Sequence, residues 1–210
     1  MAATNILKVE NLAFERNDAV LFEPVSFHLS SGEALHIEGA NGAGKTTFFQ
    51  LMIDMLQPSA GRVYFRGQAF SECRYDYLCD ILFIGHQSGV KAALSVEENL
   101  RWMSPDNTSS EQIASALQAV GLDHYAAIPC YRLSAGQHRR VALARLMTTD
   151  ATLWYLDEPF AALDKQGIDF IEGCMQQHLS RGGAIVFSSH QDLVKIVARS
   201  YKLNPFREVI

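Results

Sequence analysis

The stretch GANGAGKTT, residues 39–47, decides how the rest of this 210-residue sequence is interpreted. Gly39, Gly44, Lys45 and Thr46 satisfy the pattern GxxxxGKT, in which glycines let backbone amides approach phosphate oxygens. The positive end of a following helix dipole favours the same anions. The loop therefore predicts a nucleoside triphosphate site, in which Lys45 contacts the β and γ phosphates and the Thr46 hydroxyl binds Mg²⁺. All residues of the loop are candidate nucleotide contacts: Gly39, Ala40, Asn41, Gly42, Ala43, Gly44, Lys45, Thr46 and Thr47.

The apolar pattern around the loop predicts an α/β fold. Short apolar runs predict strands at residues 6–9, 25–29, 34–37, 62–65, 81–84, 153–156 and 184–187. Helical spacing of apolar residues predicts a helix at 46–56, ended by Pro58 and Gly61. The continuous runs at 153–156 and 184–187 are typical of strands covered on both faces, which favours a mainly parallel central sheet. The loop thus lies between a strand and a helix, which favours a phosphate loop over an ordinary glycine turn.

The segment from residue 87 to residue 133 is predicted to be mostly helical. Ser95 and Glu98 form a capping-box pattern at a helix start. Residues 109–120 have helical spacing and are followed by Gly121, which suits the left-handed turn after a helix. We therefore expect a single domain over residues 1–210, with an α/β core at 1–86 and 134–210 and a helical lobe at 87–133.

Composition narrows the function classes. Hydrophobic residues make up 48% of the chain and charged residues 20%, as in an ordinary globular protein. The net charge of −5 and the lack of a basic block argue against nucleic acid as a partner. The apolar runs are too short to span a bilayer and the N-terminal residues lack a secretion signal, so we expect a cytosolic chain. The four cysteines lack CxxC or CxxCH spacing, so no direct haem site is expected.

Two carboxylates follow the apolar strand predicted at 153–156. Asp157 and Glu158 stand where the carboxyl end of a strand opens on the ligand crevice of an α/β sheet. Asp157 can face the Mg²⁺ held by Thr46, directly or through water, and Glu158 can polarise the attacking water as a general base. The alternative is that both acids only cap the turn before Pro159. The phosphate loop favours the catalytic interpretation.

The string LSAGQ, residues 133–137, resembles LSGGQ, the signature motif of ABC ATPases. The matching candidate ATP contacts are Ser134, Gly136 and Gln137. Ala135 replaces the usual glycine, which bears on how closely the backbone there approaches the nucleotide. A serine hydroxyl and glycine amides at the start of a helix near Gln137 can form a second anion site. Taken alone, the motif is equally consistent with a helix cap.

Further elements follow in the order of that family. Gln87, after the strand at 81–84, matches the glutamine loop, which in this family senses Mg²⁺ and the transmembrane partner. His190, after the strand at 184–187, matches the switch histidine near the γ-phosphate, although a lone histidine there is more often structural. Residues 162–164 resemble the segment that contacts the opposite subunit.

The resemblance covers nearly the whole chain and implies an ATP hydrolase that uses Mg²⁺. The implied fold is a P-loop ABC ATPase nucleotide-binding domain, with an N-terminal antiparallel β subdomain, a mainly parallel RecA-like core sheet and an inserted α-helical subdomain. The implied catalytic residues are Lys45, Gln87, Glu158 and His190. The implied Mg²⁺ ligands are Thr46, Gln87 and Asp157. It also implies a head-to-tail homodimer, in which Ser134 and Gly136 of one subunit cover the ATP of the other.

The adenine contact is the least specific element. Many ABC ATPases stack the base on an aromatic residue after the first strand, and the alignment of VENLAFER on that pattern places Arg16 there. A planar guanidinium can stack on a base, so Arg16 is the preferred candidate. An exposed turn charge without a ligand is an equally good interpretation.

Several strings are similar to those of one ABC family, CcmA, the ATPase subunit of bacterial cytochrome c maturation and a haem exporter. These strings are GHQSGVK, with Ser88 in place of proline, LSAGQHRRVALARL, LDEPFAALDKQG and SHQDL. The family resemblance implies the integral membrane partners CcmB, with CcmC and CcmD, and a place at the cytoplasmic face of the inner membrane. Hydrolysis would move haem or release the haem-carrying chaperone CcmE. The alternatives are another ABC transporter subunit, or a soluble ABC ATPase without a transport role.

Overall fold

The computed structural model describes residues 4–17, 19–161, 163–191 and 193–206, and its strands form two main sheets. The strands are β1 Asn5–Ala13, β2 Glu15–Arg16, β3 Ala19–Val20, β4 Val25–Ser30, β5 Ala34–Glu38, β6 Ala60–Phe65, β7 Gln68–Ala69, β8 Ile81–Ile84, β9 Leu153–Asp157, β10 Ala184–Ser188 and β11 Arg199–Lys202. The helices are α1 Lys45–Met52, α2 Phe70–Cys79, α3 Val96–Met103, α4 Ser110–Ala119, α5 Ala135–Ala144 and α6 Lys165–Ser180. The chain therefore has the predicted α/β fold.

The central sheet has the strand order β11-β5-β10-β9-β8, and all its neighbouring strands are parallel. Side chains of β9 alternate between two cores, because successive residues of a strand point to opposite faces. Leu153 and Tyr155 pack towards α1, whereas Trp154 and Leu156 pack towards α5 and α6. Parallel strands end at the same edge of the sheet, so the loops after β5, β9 and β10 meet there.

A second sheet is antiparallel and has the order β4-β1-β6-β7. Its apolar residues share one core with α1 and the central sheet, so α1 lies between the two sheets. This sheet is the predicted N-terminal β subdomain. The hairpin of β2 and β3 follows β1 and places Arg16 beside the loop after β5.

Helices α3, α4 and α5 surround a separate core. The capping box predicted at Ser95 is present, because Ser95 Oγ accepts from the Glu98 amide and the Glu98 carboxylate accepts from the Ser95 amide. Gly121 follows α4 with a φ of +69°, in the predicted left-handed conformation. Helix α5 contributes to this core and to that of α6, so it joins the helical region to the central sheet.

The structure corrects the predicted extent of α1. The helix ends at Met52 rather than at residue 56, and Asp54 adopts a left-handed conformation with a φ of +59°. The hydroxyl of Tyr77 donates to the carbonyl of Met52 at 2.6 Å, which satisfies a group that otherwise needs a further helical turn. The Asp54 carboxylate pairs with Arg74. Both partners come from α2, so a tertiary contact ends the helix.

Two other differences concern helix positions. Helix α5 begins at Ala135, two residues before the predicted start at Gln137. Helix α2 was not predicted, and its backbone leaves helical geometry at Cys73, where φ is −124° and ψ is 24°.

Among the described residues, no helix has both the length and the apolar character that a bilayer crossing requires.

Candidate active site

A cavity of about 530 Å³ lies where the loops after β5, β9 and β10 meet. It is lined by Arg16, Leu21, Ala40, Asn41, Gly42, Gly44, Lys45, Thr46, Thr47, His86, Asp157, Glu158, Ala161 and His190. Most of the residues that the sequence predicts as a site are thus brought together. A cavity of about 580 Å³ between α1, β6 and α2 contains none of them.

The loop between β5 and α1 has the geometry that phosphate binding requires. Gly44 precedes α1 with a φ of +96°, and no side chain caps the first turn of the helix. A Cβ at Gly44 would lie 2.9 Å from a ring carbon of Phe22, so a larger residue does not fit. The Lys45 ammonium donates to the carbonyl of Gly39 at 2.7 Å, which holds the charge over the loop. The open amides, the helix dipole and this ammonium together favour an anion.

Thr46 and Asp157 form the centre of the predicted Mg²⁺ site. The Thr46 hydroxyl donates to Asp157 Oδ2 at 3.0 Å, and Ser188 Oγ donates to Asp157 Oδ1 at 2.8 Å. A hydroxyl and a buried carboxylate fit the preference of Mg²⁺ for oxygen ligands. No group of three His, Cys, Asp or Glu side chains in the described part of the chain could hold a metal ion. Phosphate oxygens would complete such a site, as is usual for Mg²⁺.

Glu158 is held in an unusual backbone conformation at the end of β9. Its φ is +51°, which is costly for a residue with a side chain. Ser188 Oγ accepts from the Glu158 amide at 3.0 Å, and Arg139 donates to the Glu158 carbonyl at 2.7 Å. Glu158 Oε1 lies 3.4 Å from His190 Nε2, which is also 3.1 Å from Asn41 Oδ1. The carboxylate therefore faces the loop that carries His190.

Arg139 and Ser188 are functional candidates that sequence reasoning missed. Both are buried, with exposed fractions of 6% and 0%. Burial lowers the pKa of Arg139, and the charges of Asp157 and Glu158 oppose that shift. An arginine on the apolar side of a helix was a signal that could have been noticed in LSAGQHRR, since such a charge requires partners.

Not every predicted residue lies at the cavity. Arg16 lines it, but Gln87 is exposed and does not; its neighbour His86 does. Ser134, Gly136 and Gln137 also lie outside its lining. Ser134 caps α5 in a capping box with Gln137, which is the helix-cap role suggested for the motif. In the segment predicted to contact a second subunit, Ala162 lies outside the described residues, and Asp164 caps α6 and pairs with Arg140 at 2.9 Å.

Known proteins resemble this chain in sequence. The family described as "ABC transporter" matches residues 22–161. The chain is 43% identical over 192 residues to the "Cytochrome c biogenesis ATP-binding export protein CcmA" of Hahella chejuensis, which covers 90% of this chain and 91% of the relative. It is 45% identical over 188 residues to the protein of that name from Escherichia coli, with 90% of each covered. The protein of that name from Pseudomonas putida is 42% identical over 200 residues, with 94% and 95% covered.

Solved structures resemble it in fold. An "ATP binding subunit of ABC transporter" superimposes with a TM-score of 0.79 at 23% identity and covers 88% of this chain and 79% of its own. A putative ABC transporter ATP-binding protein from Pyrococcus furiosus has a TM-score of 0.79 at 24% identity, with 94% and 96% covered. Both likenesses concern the fold alone.

Proposed function

Because this chain belongs to the ABC transporter ATPases, and among them to the family of the cytochrome c biogenesis ATP-binding export proteins CcmA, we propose that it powers haem export or haem-chaperone release. The single observation that carries the enzymatic part is the 3.0 Å hydrogen bond between Thr46 and Asp157. It lies beside the phosphate loop, where no side chain caps the first turn of α1. The family relationship carries the biological part.

In the proposed reaction, the open amides and Lys45 bind the phosphates of ATP, and Glu158 orients and deprotonates the attacking water. Thr46 and Asp157 hold Mg²⁺, which neutralises charge on the phosphates when it is bound. His190 contacts the γ-phosphate, and Asn41 holds its ring at 3.1 Å. Gln87, which lies in an exposed segment, contacts Mg²⁺ and the membrane partner. Arg16 stacks on the adenine.

The signature residues act on a second molecule in this proposal. Ser134, Gly136 and Gln137 lie outside the cavity lined by Lys45 and Glu158, which supports a head-to-tail homodimer. Each subunit then covers the ATP of its partner. The pair binds the integral proteins CcmB, with CcmC and CcmD, at the cytoplasmic face of the inner membrane. ATP-driven closure of the pair moves these proteins through the segment that contains Gln87.

The hydrolytic role of Glu158 is tested with Glu158→Gln. We expect kcat for ATP to fall by roughly 100-fold or more, because the amide cannot accept the proton from water. ATP affinity is expected to stay within a few-fold of wild type. Glu23→Gln changes an exposed acid elsewhere and is the matched control. Steady-state turnover that survives in Glu158→Gln contradicts the assignment of the general base.

The membrane role is tested by purifying the tagged chain from detergent-solubilised membranes and identifying the integral proteins that accompany it. CcmB, CcmC and CcmD are the expected partners. With that complex in vesicles, ATP-dependent movement of haem and ATP-dependent release of haem-loaded CcmE are measured separately. Recovery of ribosomes or DNA without integral proteins contradicts a transport role. Recovery of a different set of integral proteins contradicts the cytochrome c assignment and keeps the ATPase assignment.

A further inference from the structure

Arg139 of α5 and Arg145, which directly follows the last residue of that helix, bind backbone carbonyls rather than carboxylates. Arg139 donates to the carbonyl of Gly85 at 2.5 Å, and Arg145 donates to that of Phe83 at 3.0 Å. Within the described ranges, neither guanidinium has a carboxylate within 4.0 Å. Burial lowers the pKa of both groups, but an arginine keeps its charge in proteins. Each side chain therefore places a positive charge, buried for Arg139 and partly buried for Arg145, at the end of β8.

The two carbonyls lie on the free edge of the central sheet. Strand β8 is its edge strand, and the carbonyl of Asp80 accepts from the Leu153 amide of β9. Carbonyls alternate in direction along a strand, so those of Phe83 and Gly85 point away from β9. Arg145 and Arg139 therefore satisfy consecutive outward carbonyls. In this respect the two arginines are equivalent anchors of α5.

Arg139 differs from Arg145 in one respect that concerns the site. Its guanidinium also donates to the carbonyl of Glu158 at 2.7 Å and, at 3.3 Å, to that of Asp157. The Glu158 amide is held from the other side by Ser188 Oγ at 3.0 Å. Glu158 is thus fixed on both sides of its left-handed backbone, and such a conformation persists only where the surroundings impose it.

We infer that Arg139 is a positioning residue for ATP hydrolysis, which holds the backbone of Glu158 so that its carboxylate faces the cavity. The inference rests on the proposed function, because it assumes that Glu158 is the general base. The same guanidinium binds Gly85, the residue before His86 and Gln87. A displacement of that segment would therefore move the backbone of Glu158 through the side chain of Arg139. Arg139 therefore joins two parts of the site, the backbone of Glu158 and the segment that follows β8.

The experiment compares Arg139→Met with Arg145→Met in the full chain, purified with the membrane proteins that it binds. Each change removes a guanidinium that holds a carbonyl at the end of β8, from Arg139 in α5 or from Arg145 directly after it, so both should lower Tm. Only Arg139→Met should lower kcat, by about 10- to 100-fold per folded molecule, since small displacements of a catalytic group have effects of that size. KM for ATP should stay within about threefold of wild type, because binding and positioning are separate contributions.

A conservative variant separates positioning from packing. Arg139→Lys keeps the charge but cannot make the forked contacts to Gly85 and Glu158 together. Its kcat should lie between those of wild type and Arg139→Met, with one or the other contact restored. Ser188→Ala, which removes the hydroxyl on the other side of Glu158, also loses a contact to Asp157 and should lower both kcat and metal affinity.

Several outcomes would overturn the inference. Equal losses of kcat per folded molecule in Arg139→Met and Arg145→Met mean that the shared contact with the end of β8 supports turnover, and not the contact with Glu158. An unchanged kcat in Arg139→Met means that Glu158 needs no such support. Glu158→Gln distinguishes these failures from a failure of the proposed function, because retained turnover in that variant contradicts the base itself. In the Glu158→Gln background, adding Arg139→Met should lower the residual kcat no further; an additional loss of about tenfold contradicts action through Glu158.

Discussion

Helices α1 and α5 both begin at glycine-containing loops that the sequence predicts as anion sites, yet their first turns differ. Helix α1 follows Gly44 without a side-chain cap and faces the cavity. At α5, Ser134 Oγ accepts from the Gln137 amide at 3.3 Å, and the Gln137 side chain accepts from the Ser134 amide at 2.9 Å. At α1 no side chain caps the first turn, so its amides are open to a phosphate within the same subunit. At α5, which lies outside the cavity lining, the side chains of Ser134 and Gln137 already accept hydrogen bonds from first-turn amides.

The capping box by itself does not mark a binding helix. Helix α4 begins with the same arrangement, in which Ser109 Oγ accepts from the Gln112 amide at 3.2 Å. The two boxes have the same residue types at the same spacing, and both are exposed. The two helices differ in their proposed role, because only α5 is proposed to contact the ATP of a second subunit. The chain therefore contains its own control for that proposal.

The largest effect is expected at α1. Lys45→Ala removes the ammonium that lies over the loop, and we expect ATP affinity to fall by roughly 100-fold, as for a charge-assisted contact to phosphate. Isothermal titration with a non-hydrolysable ATP analogue measures this change. Lys8→Ala removes an equal charge from β1 and should leave the affinity unchanged. Retained affinity in Lys45→Ala would erase the difference between the two helix starts.

A smaller and more selective effect is expected at α5. Ser134→Ala and Ser109→Ala should each cost about 1 kcal/mol of unfolding free energy, because each removes an N-cap. Only Ser134→Ala should also lower ATP turnover, by roughly tenfold, the scale of one lost neutral hydrogen bond in a site. Denaturant unfolding and steady-state hydrolysis are the two measurements. Equal turnover in the two variants would make Ser134 a helix cap and nothing more.

The proposed contact between Arg16 and the adenine ring tests whether one subunit supplies the contacts to both the phosphates and the base. Arg16→Ala should weaken ATP binding by roughly five- to tenfold, since base stacking contributes about 1 kcal/mol or more. Arg16→Tyr should restore the affinity, because a ring also stacks, whereas Arg62→Ala, at an exposed position of β6, should have no effect. An unchanged affinity in Arg16→Ala supports the interpretation as an exposed turn charge.

The smallest effect concerns the sheet that supports both helices. Burial lowers the pKa of His178 to about 4, and its ring stacks on Trp154 with 3.8 Å between centroids. The unfolded chain binds this proton near pH 6.5, so stability is present above that pH and is lost as the pH falls towards 4. Between pH 7 and pH 6 the loss is less than about 1 kcal/mol.

Unfolding at several pH values checks this prediction. His178→Phe keeps a ring against Trp154 without a titrating group, so its stability should depend less on pH than that of wild type. His124→Gln changes an exposed histidine and should leave the pH dependence as it is. A wild-type slope in His178→Phe would contradict the assignment. Because the effect acts on the sheet, it should lower the stability around α1 and α5 together.

Much of the fold and of the α1 site could be predicted, because the relevant signals are local. The pattern around Lys45 and the apolar strand before Asp157 each stand within one segment, and parallel strands bring such segments to one edge. Arg139 and Ser188 could not be assigned in this way, because they act on backbone groups that lie far away in sequence. The early end of α1 depends on Tyr77 for the same reason. The exposure of Gln87 and the place of His86 depend on the turn after β8, which residue types do not determine.

The edge position of β8 has a consequence for the synthesis of the chain. The strand leaves the ribosome as the apolar sequence ILFI, whereas its neighbour β9 starts at Leu153 and its cover α5 starts at Ala135. During that interval the strand has no neighbouring strand, and its face with Leu82 and Ile84 has no covering helix, which is a condition under which nascent chains associate wrongly. Chaperone contact is therefore expected to be strongest between the emergence of residue 84 and that of residue 153.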